Sequence, residues 1–131
     1  MSDREISDRE PRLVAIIPCN DLDAAEAWWN RLGFRRPPDQ DYPGYRMLAD
    51  DEGSEVHLNQ SAEGWVVPSH NPFGVYLYTR RVAQIAAAMR GFVIEPGKAP
   101  EHKPWGMYEC ALHGPDGLLV RIGWPSRLVE G

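Results

Sequence analysis

Lys103-Pro104-Trp105-Gly106-Met107-Tyr108-Glu109-Cys110-Ala111-Leu112-His113-Gly114-Pro115-Asp116-Gly117-Leu118-Leu119-Val120-Arg121-Ile122 is the stretch whose reading decides the fold. Met107, Glu109 and Ala111 alternate with Tyr108, Cys110 and Leu112, the period of two that sends successive side chains of a strand to opposite faces. Gly114-Pro115-Asp116-Gly117 interrupts the run. Proline presets φ at the second turn position, Asp116 tolerates the third, and Gly117 accepts the positive φ that ends the turn. An apolar strand then resumes over 118–122, so the stretch predicts a β-hairpin. Ahead of it, Pro104-Trp105-Gly106 sets a large ring on a short, stiff loop, suited to stacking against a flat ligand.

Working outward, the β-branched run 13–17 predicts a buried strand ended by Pro18. Asn20-Asp21 caps a helix over 23–32 in which Ala24, Ala27, Trp28 and Leu32 share a face, and Gly33 closes it. Of the adjacent Trp28 and Trp29, one is expected in the core and the other partly exposed. The Pro- and Asp-rich segment 35–45, crossed by Asp41-Tyr42-Pro43-Gly44, predicts an ordered loop or irregular edge strand. Two strands, 45–49 and 55–60, are joined by a turn at Asp50-Asp51-Glu52-Gly53. After a connector over 61–72 come a strand at 73–78 and a helix at 81–90 with Val82, Ile85, Ala86 and Met89 on one side, closed by Gly91. A Pro-Gly loop at 96–100 delivers the chain to Trp105.

Composition bounds the function classes. A chain of 131 residues is one structural domain by size, and 43% hydrophobic residues with five Trp, five Tyr and three Phe suffice for a core. No apolar run approaches the roughly 20 residues of a membrane span, and no signal-peptide pattern opens the chain, so a cytoplasmic protein without membrane contact is expected. Cys19 and Cys110 sit in apolar strands without metal-ligand spacing and read as reduced core thiols. The net charge of −5 with no basic stripe argues against nucleic acid and suits a cationic small molecule.

The sequence also echoes itself. Strand, turn, helix and Leu32-Gly33-Phe34 recur about 58 residues later as strand, turn, helix and Arg90-Gly91-Phe92. Two tandem βαβββ modules forming a curled mixed sheet, an α+β fold, account for the chain. The expected boundaries are a loose arm at 1–11, modules at 12–72 and 73–125, and a tail at 126–131.

This pattern resembles the vicinal oxygen chelate superfamily, which includes glyoxalase I, extradiol dioxygenases, fosfomycin-resistance enzymes and bleomycin-resistance proteins. The hairpin's Pro-Trp-Gly, Glu-x-Ala-Leu and Pro-x-Gly order resembles the bleomycin-resistance branch, as do Asp21-Leu22, Trp28-Trp29, Arg31-Leu32-Gly33-Phe34, Asp41-Tyr42-Pro43-Gly44 and Val66-Val67-Pro68. Metal-using relatives place a donor on the opening strand and on a later strand of each module. Here the opening strands offer Val14 and Gly74, the last strand offers Arg121, and His57 alone supplies a usable ligand. One donor of four does not hold a divalent cation, and Arg121 would repel it, so no metal, other cofactor or catalytic residue is expected.

The resemblance implies binding instead. In the bleomycin-resistance proteins the drug lies in a crevice between two subunits, its flat part held between aromatic rings and its cationic tail met by carboxylates. Trp105 and Tyr42 match the rings; Asp39, Asp41 and Glu109 are the candidate acceptors of positive charge; His57 and Arg121 line the cleft. The expected function is sequestration of a flat, cationic, bleomycin-type antibiotic by a homodimer that performs no chemistry. The alternative is a divergent metal-dependent lyase or dioxygenase built around His57 and Glu109. Pro18 stands later than the proline that helps relatives exchange their N-terminal arm, which argues against arm exchange here.

Overall fold

The computed structural model describes residues 11–94 and 100–130. The expected arm over 1–11 lies outside the described residues except for Pro11, and the Pro-Gly loop except for Pro100.

Each half of the chain follows the same plan. In the first, β1 (Ala15–Cys19) leads into α1 (Leu22–Leu32), then β2 (Tyr45–Ala49) and β3 (Glu55–Gln60). The sheet order is β1-β3-β2, with β1 parallel and β2 antiparallel to β3. In the second, β4 (Gly74–Tyr78) leads into α2 (Val82–Ala88), then β5 (Glu101–His102), β6 (Met107–His113) and β7 (Leu119–Pro125). Its order is β4-β7-β6-β5, with β4 parallel to β7 and the other pairs antiparallel. The strand expected directly after each helix is reduced to a single bridge, Arg35 to Ala49 in one half and Val93 to Leu112 in the other. Mixed sheets with few helices make an α+β fold.

Local chemistry explains the elements. The Asp21 carboxylate accepts from the Ala24 N–H and caps α1, while Gly33 closes it at φ 103. Four details depart from the sequence expectation. Strand β1 runs through Pro18 to Cys19. Among the described residues it pairs with β3 alone, so the missing N–H breaks no described ladder bond on its other side. The buried face of α1 is Leu22, Ala25, Trp28, Trp29 and Leu32; Ala24 and Ala27 are exposed. Both tryptophans are buried because the helix is enclosed on two sides: Trp29 meets Phe34 edge-on at 5.1 Å, and Trp28 meets Phe92 of the second half at 6.3 Å. Finally, Gly91 lies within a 3₁₀ turn, Arg90–Phe92, and Met89 caps α2, so the echo of Gly33 is one of sequence and not of conformation.

Alternation assigns the two faces of each sheet. Ile17, Cys19, Leu48, Val56 and Leu58 pack under α1, and Leu77, Val120, Ile122, Cys110 and Leu112 join the same core from the second sheet. The opposite, open faces carry Ile16, Tyr45 and His57 in the first sheet and Tyr76, Tyr78, Glu109 and Arg121 in the second.

Two latches join the halves. The turn between β2 and β3 sends Glu52 to accept from the buried Thr79 hydroxyl at 2.7 Å and from Arg81 Nε at 3.4 Å, at the start of α2. At the other end, the turn of the β6–β7 hairpin reaches the first half. Asp116 accepts from the Asn20 N–H at 3.0 Å, and its carbonyl accepts from Asn71 Nδ2 at 3.0 Å. Asp116 and Gly117 both hold positive φ, 56 and 77. A Cβ on Gly117 would stand 2.0 Å from the Pro68 carbonyl oxygen, so glycine there permits the hairpin to meet the connector.

Candidate functional site

The open face of the second sheet gathers a network around one carboxylate. Glu109, on β6, is 2% exposed. Its Oε1 accepts from the Trp105 indole Nε1–H at 2.8 Å and from the Tyr76 hydroxyl at 3.0 Å, and its Oε2 accepts from Arg121 Nη1 at 3.3 Å. The donors arrive from the loop before β6, from β4 and from β7. The β4–β7 register sets Tyr76 beside Arg121. Gly123 leaves the room this needs, since a Cβ there would lie 2.0 Å from the Tyr76 hydroxyl oxygen. Burial, then the bond to Glu109, raises the Tyr76 phenol far above its ordinary range, so it remains a neutral donor. Tyr78 packs against Tyr76 with centroids 5.0 Å apart. Trp105, 64% exposed, presents its ring to solvent while its N–H is anchored.

A second cluster occupies the open face of the first sheet. The Tyr45 hydroxyl donates to His57 Nδ1 at 2.7 Å, and His57 Nε2–H donates to Glu55 Oε2 at 3.0 Å. Arg12 Nη2 donates to Glu55 at 2.8 Å. Burial pushes the Glu55 carboxyl up, but the bonds from Arg12 and His57 outweigh it and hold the group below its ordinary value.

Of the residues singled out from sequence, Trp105, Glu109 and Arg121 come together; His57 lies apart in the first sheet. Tyr42, exposed, bridges to Tyr45 beyond β2, and Asp41 lines a surface groove with Arg35, Arg36 and Glu26. Asp39 is exposed in the same segment. Within one chain Tyr42 and Trp105 stand near opposite ends of the strand order, because β1 and β4 are the edges that face each other. Tyr76, Tyr78 and Tyr45 escaped the sequence reading. Tyr76 and Tyr78 alternate with Leu77, which announces a common face but not which buried carboxylate that face meets.

Between β1 and β4, beneath the connector, lies an apolar cleft of about 540 Å³ lined by Ile16, Pro18, Trp65, Val67, His70 and Phe73. Trp65 and Phe73 are 84% and 70% exposed. Phe73, expected inside β4, precedes it.

The described residues do not fit a divalent metal of the kind the resemblance allows. Strand register brings Ile16 beside His57 and Tyr76 beside Arg121, so those four side chains occupy the paired positions. Both His57 nitrogens are engaged, and among the described residues no three His, Cys, Asp or Glu side chains converge. The cysteines offer no nucleophile: burial, with the Asp116 charge for Cys19 and the Glu109 charge for Cys110, pushes both thiols up to about 11.

The sequence model of the Glyoxalase/Bleomycin resistance protein/Dioxygenase superfamily matches residues 12–122, and the chain belongs to that superfamily. Its fold is similar to that of a bleomycin resistance determinant encoded on the transposon Tn5 (TM-score 0.71, 21% identity, 88% of this chain and 98% of that one). It is likewise similar to a bleomycin-binding protein complexed with bleomycin (0.70, 22%, 88% and 98%) and to TnmS3, an antibiotic binding protein from Streptomyces sp. CB03234 (0.66, 21%, 90% and 98%). A search of curated proteins finds no match. No helix among the described residues is long and apolar enough to cross a membrane.

Proposed function

We propose that this chain binds a flat small molecule with a cationic tail, of the bleomycin type, and sequesters it without altering it. The observation that carries the reading is Trp105: an exposed indole whose N–H is fixed to a buried carboxylate, so that the ring is a rigid stacking platform beside Tyr76 and Tyr78. A ring held in place loses little freedom when a ligand covers it. Offset stacking adds about 0.5–1.5 kcal/mol beyond the area buried. The fold shared with a bleomycin-binding protein supports the choice of ligand class.

The cleft we propose is completed by a second copy. Tyr42, with Asp39 and Asp41, lies beyond β2, and Trp105 lies beyond β6, so the two rings can clamp one planar group only if they come from different protomers. The exposed apolar side chains around the β1–β4 cleft, Ile16, Trp65 and Phe73 among them, supply surface for such a homodimer.

Isothermal titration with metal-free bleomycin tests the reading. The expected result is about one site per chain at micromolar affinity or tighter, about −8 kcal/mol. Absence of heat at any usable concentration would remove this antibiotic as the ligand. A second reading is favoured by the Tyr45–His57–Glu55 chain, which has the order of a donor, a base and its orienting carboxylate. It predicts protein-dependent exchange of a ligand proton, seen by NMR and abolished by His57→Gln.

A further inference from the structure

Glu109 was the sequence-based candidate for receiving a ligand's positive charge, and its surroundings assign it another task. It is almost wholly buried, and both oxygens are already taken by three protein donors. At 2% exposure beneath Trp105, Tyr76 and Arg121 it offers an incoming ammonium no open approach unless one of them moves aside. Arg121 is placed the other way round: its side chain is 44% exposed, beside a carboxylate that is not. A guanidinium has five N–H donors in a planar fork. Glu109 takes one of Arg121's, at 3.3 Å, and the exposed remainder opens onto the face that carries Trp105.

The charge around this face does not favour a cation either. Glu109 is offset by Arg121. Glu101, its neighbour across the β5–β6 pairing, is paired with Lys103. Tyr76 remains neutral, and the residues beside Arg121 on the flanking strands are Tyr76 and Ala111, neither anionic. Ala111 also leaves space above the strand where a larger side chain would cover the guanidinium.

We propose that the planar part of the ligand carries an oxygen acceptor on its edge (a carboxylate, phenolate or ring carbonyl) and that Arg121 receives it while the ring stacks on Trp105. Glu109 is then a positioning residue that fixes both groups from below. Any cationic tail is met elsewhere, at Asp39 and Asp41. This rests on the ligand-binding reading above and specifies the chemistry of that site.

Three acridines of equal ring size test it by calorimetry: acridine-4-carboxylate, neutral acridine and cationic 9-aminoacridine. The carboxylate is expected to bind at least tenfold more tightly than the cation. Arg121→Gln is expected to abolish that preference, bringing the carboxylate down to the affinity of neutral acridine, and Glu109→Gln, which frees both Trp105 and Arg121, to weaken all three acridines together. Thermal melts check that each variant folds. Preference for the cation, with a tenfold loss in Glu109→Gln confined to the cation, would make Glu109 the counter-ion and overturn the proposal. Equal binding of all three would overturn it while leaving the aromatic platform intact. Failure of all three to bind would overturn the platform and this proposal together.

Discussion

Gly117→Ala examines how the hairpin turn holds the two halves together. Gly117 sits at φ 77, where an L side chain costs about 1–2 kcal/mol. The added Cβ would also lie 2.0 Å from the Pro68 oxygen, 2.9 Å from its carbonyl carbon and 3.1 Å from its Cα. All three are backbone atoms, so the connector must move, straining the Asn71–Asp116 bond next to it. Overpacking of this kind costs about 1–3 kcal/mol, which brings the expected loss to about 2–5 kcal/mol. Gly53→Ala is the control: its φ is 94, but nothing lies within 4 Å of its Cβ, so it pays the backbone term alone. Urea unfolding of both variants, with unchanged slope, should place Gly117→Ala about 1–3 kcal/mol below Gly53→Ala. Equal losses would refute the contact between hairpin and connector.

Further expectations concern charge, binding and reactivity. Burial raises the Glu52 carboxyl, but the Thr79 hydroxyl and the Arg81 charge outweigh it and hold the group below its ordinary value. Its contribution is therefore present above the unfolded value of about 4.3 and lost as pH falls through the lower folded one; Glu52→Gln should cost about 1–3 kcal/mol at pH 7, with the gap to wild type closing below about pH 4 in urea unfolding. Trp105→Ala should weaken bleomycin binding about a hundredfold, from roughly 80 Å² of lost ring contact and about 1 kcal/mol of stacking, and lower stability by about 1–2 kcal/mol, because the ring is exposed but its N–H satisfies the buried Glu109 carboxylate. Cys19 and Cys110 should resist iodoacetamide at pH 8 until denaturant unfolds the chain, and prompt labelling of native protein would contradict their burial. Chelation followed by Zn²⁺ or Mn²⁺ addition should leave the melting temperature unchanged.

The hairpin shows how far local chemistry reaches. The alternation over 107–113 and the turn at Gly114-Pro115-Asp116-Gly117 foretold the β6–β7 pairing, and 45–49 and 55–60 became β2 and β3 with the expected bounds. Helix faces were half legible: Val82, Ile85, Ala86 and Met89 are buried on and just after α2 as expected, whereas the face of α1 was not. The α1 stripe came out shifted: Phe34 of the same half encloses Trp29 and Phe92 of the second half encloses Trp28, and periodicity carries no information about a partner contributed from far along the chain.

The candidate site divides in the same way. Trp105 on its stiff loop could be read from residue types and spacing, because a short loop is a local property; the positions paired with His57 and Arg121 could not, since spacing pointed to Val14 and Gly74 and the strand register sets Ile16 and Tyr76 there. That Glu109 is buried beneath Trp105, Tyr76 and Arg121 could not. Those four side chains come from three strands and a loop, and only the parallel register of β4 with β7, with Gly123 leaving room for the Tyr76 hydroxyl, brings them into hydrogen-bonding distance. Sequence alone determined the order of elements and the ring on offer; tertiary structure decided which charge is exposed beside that ring, because exposure and pairing are set by which strands lie side by side.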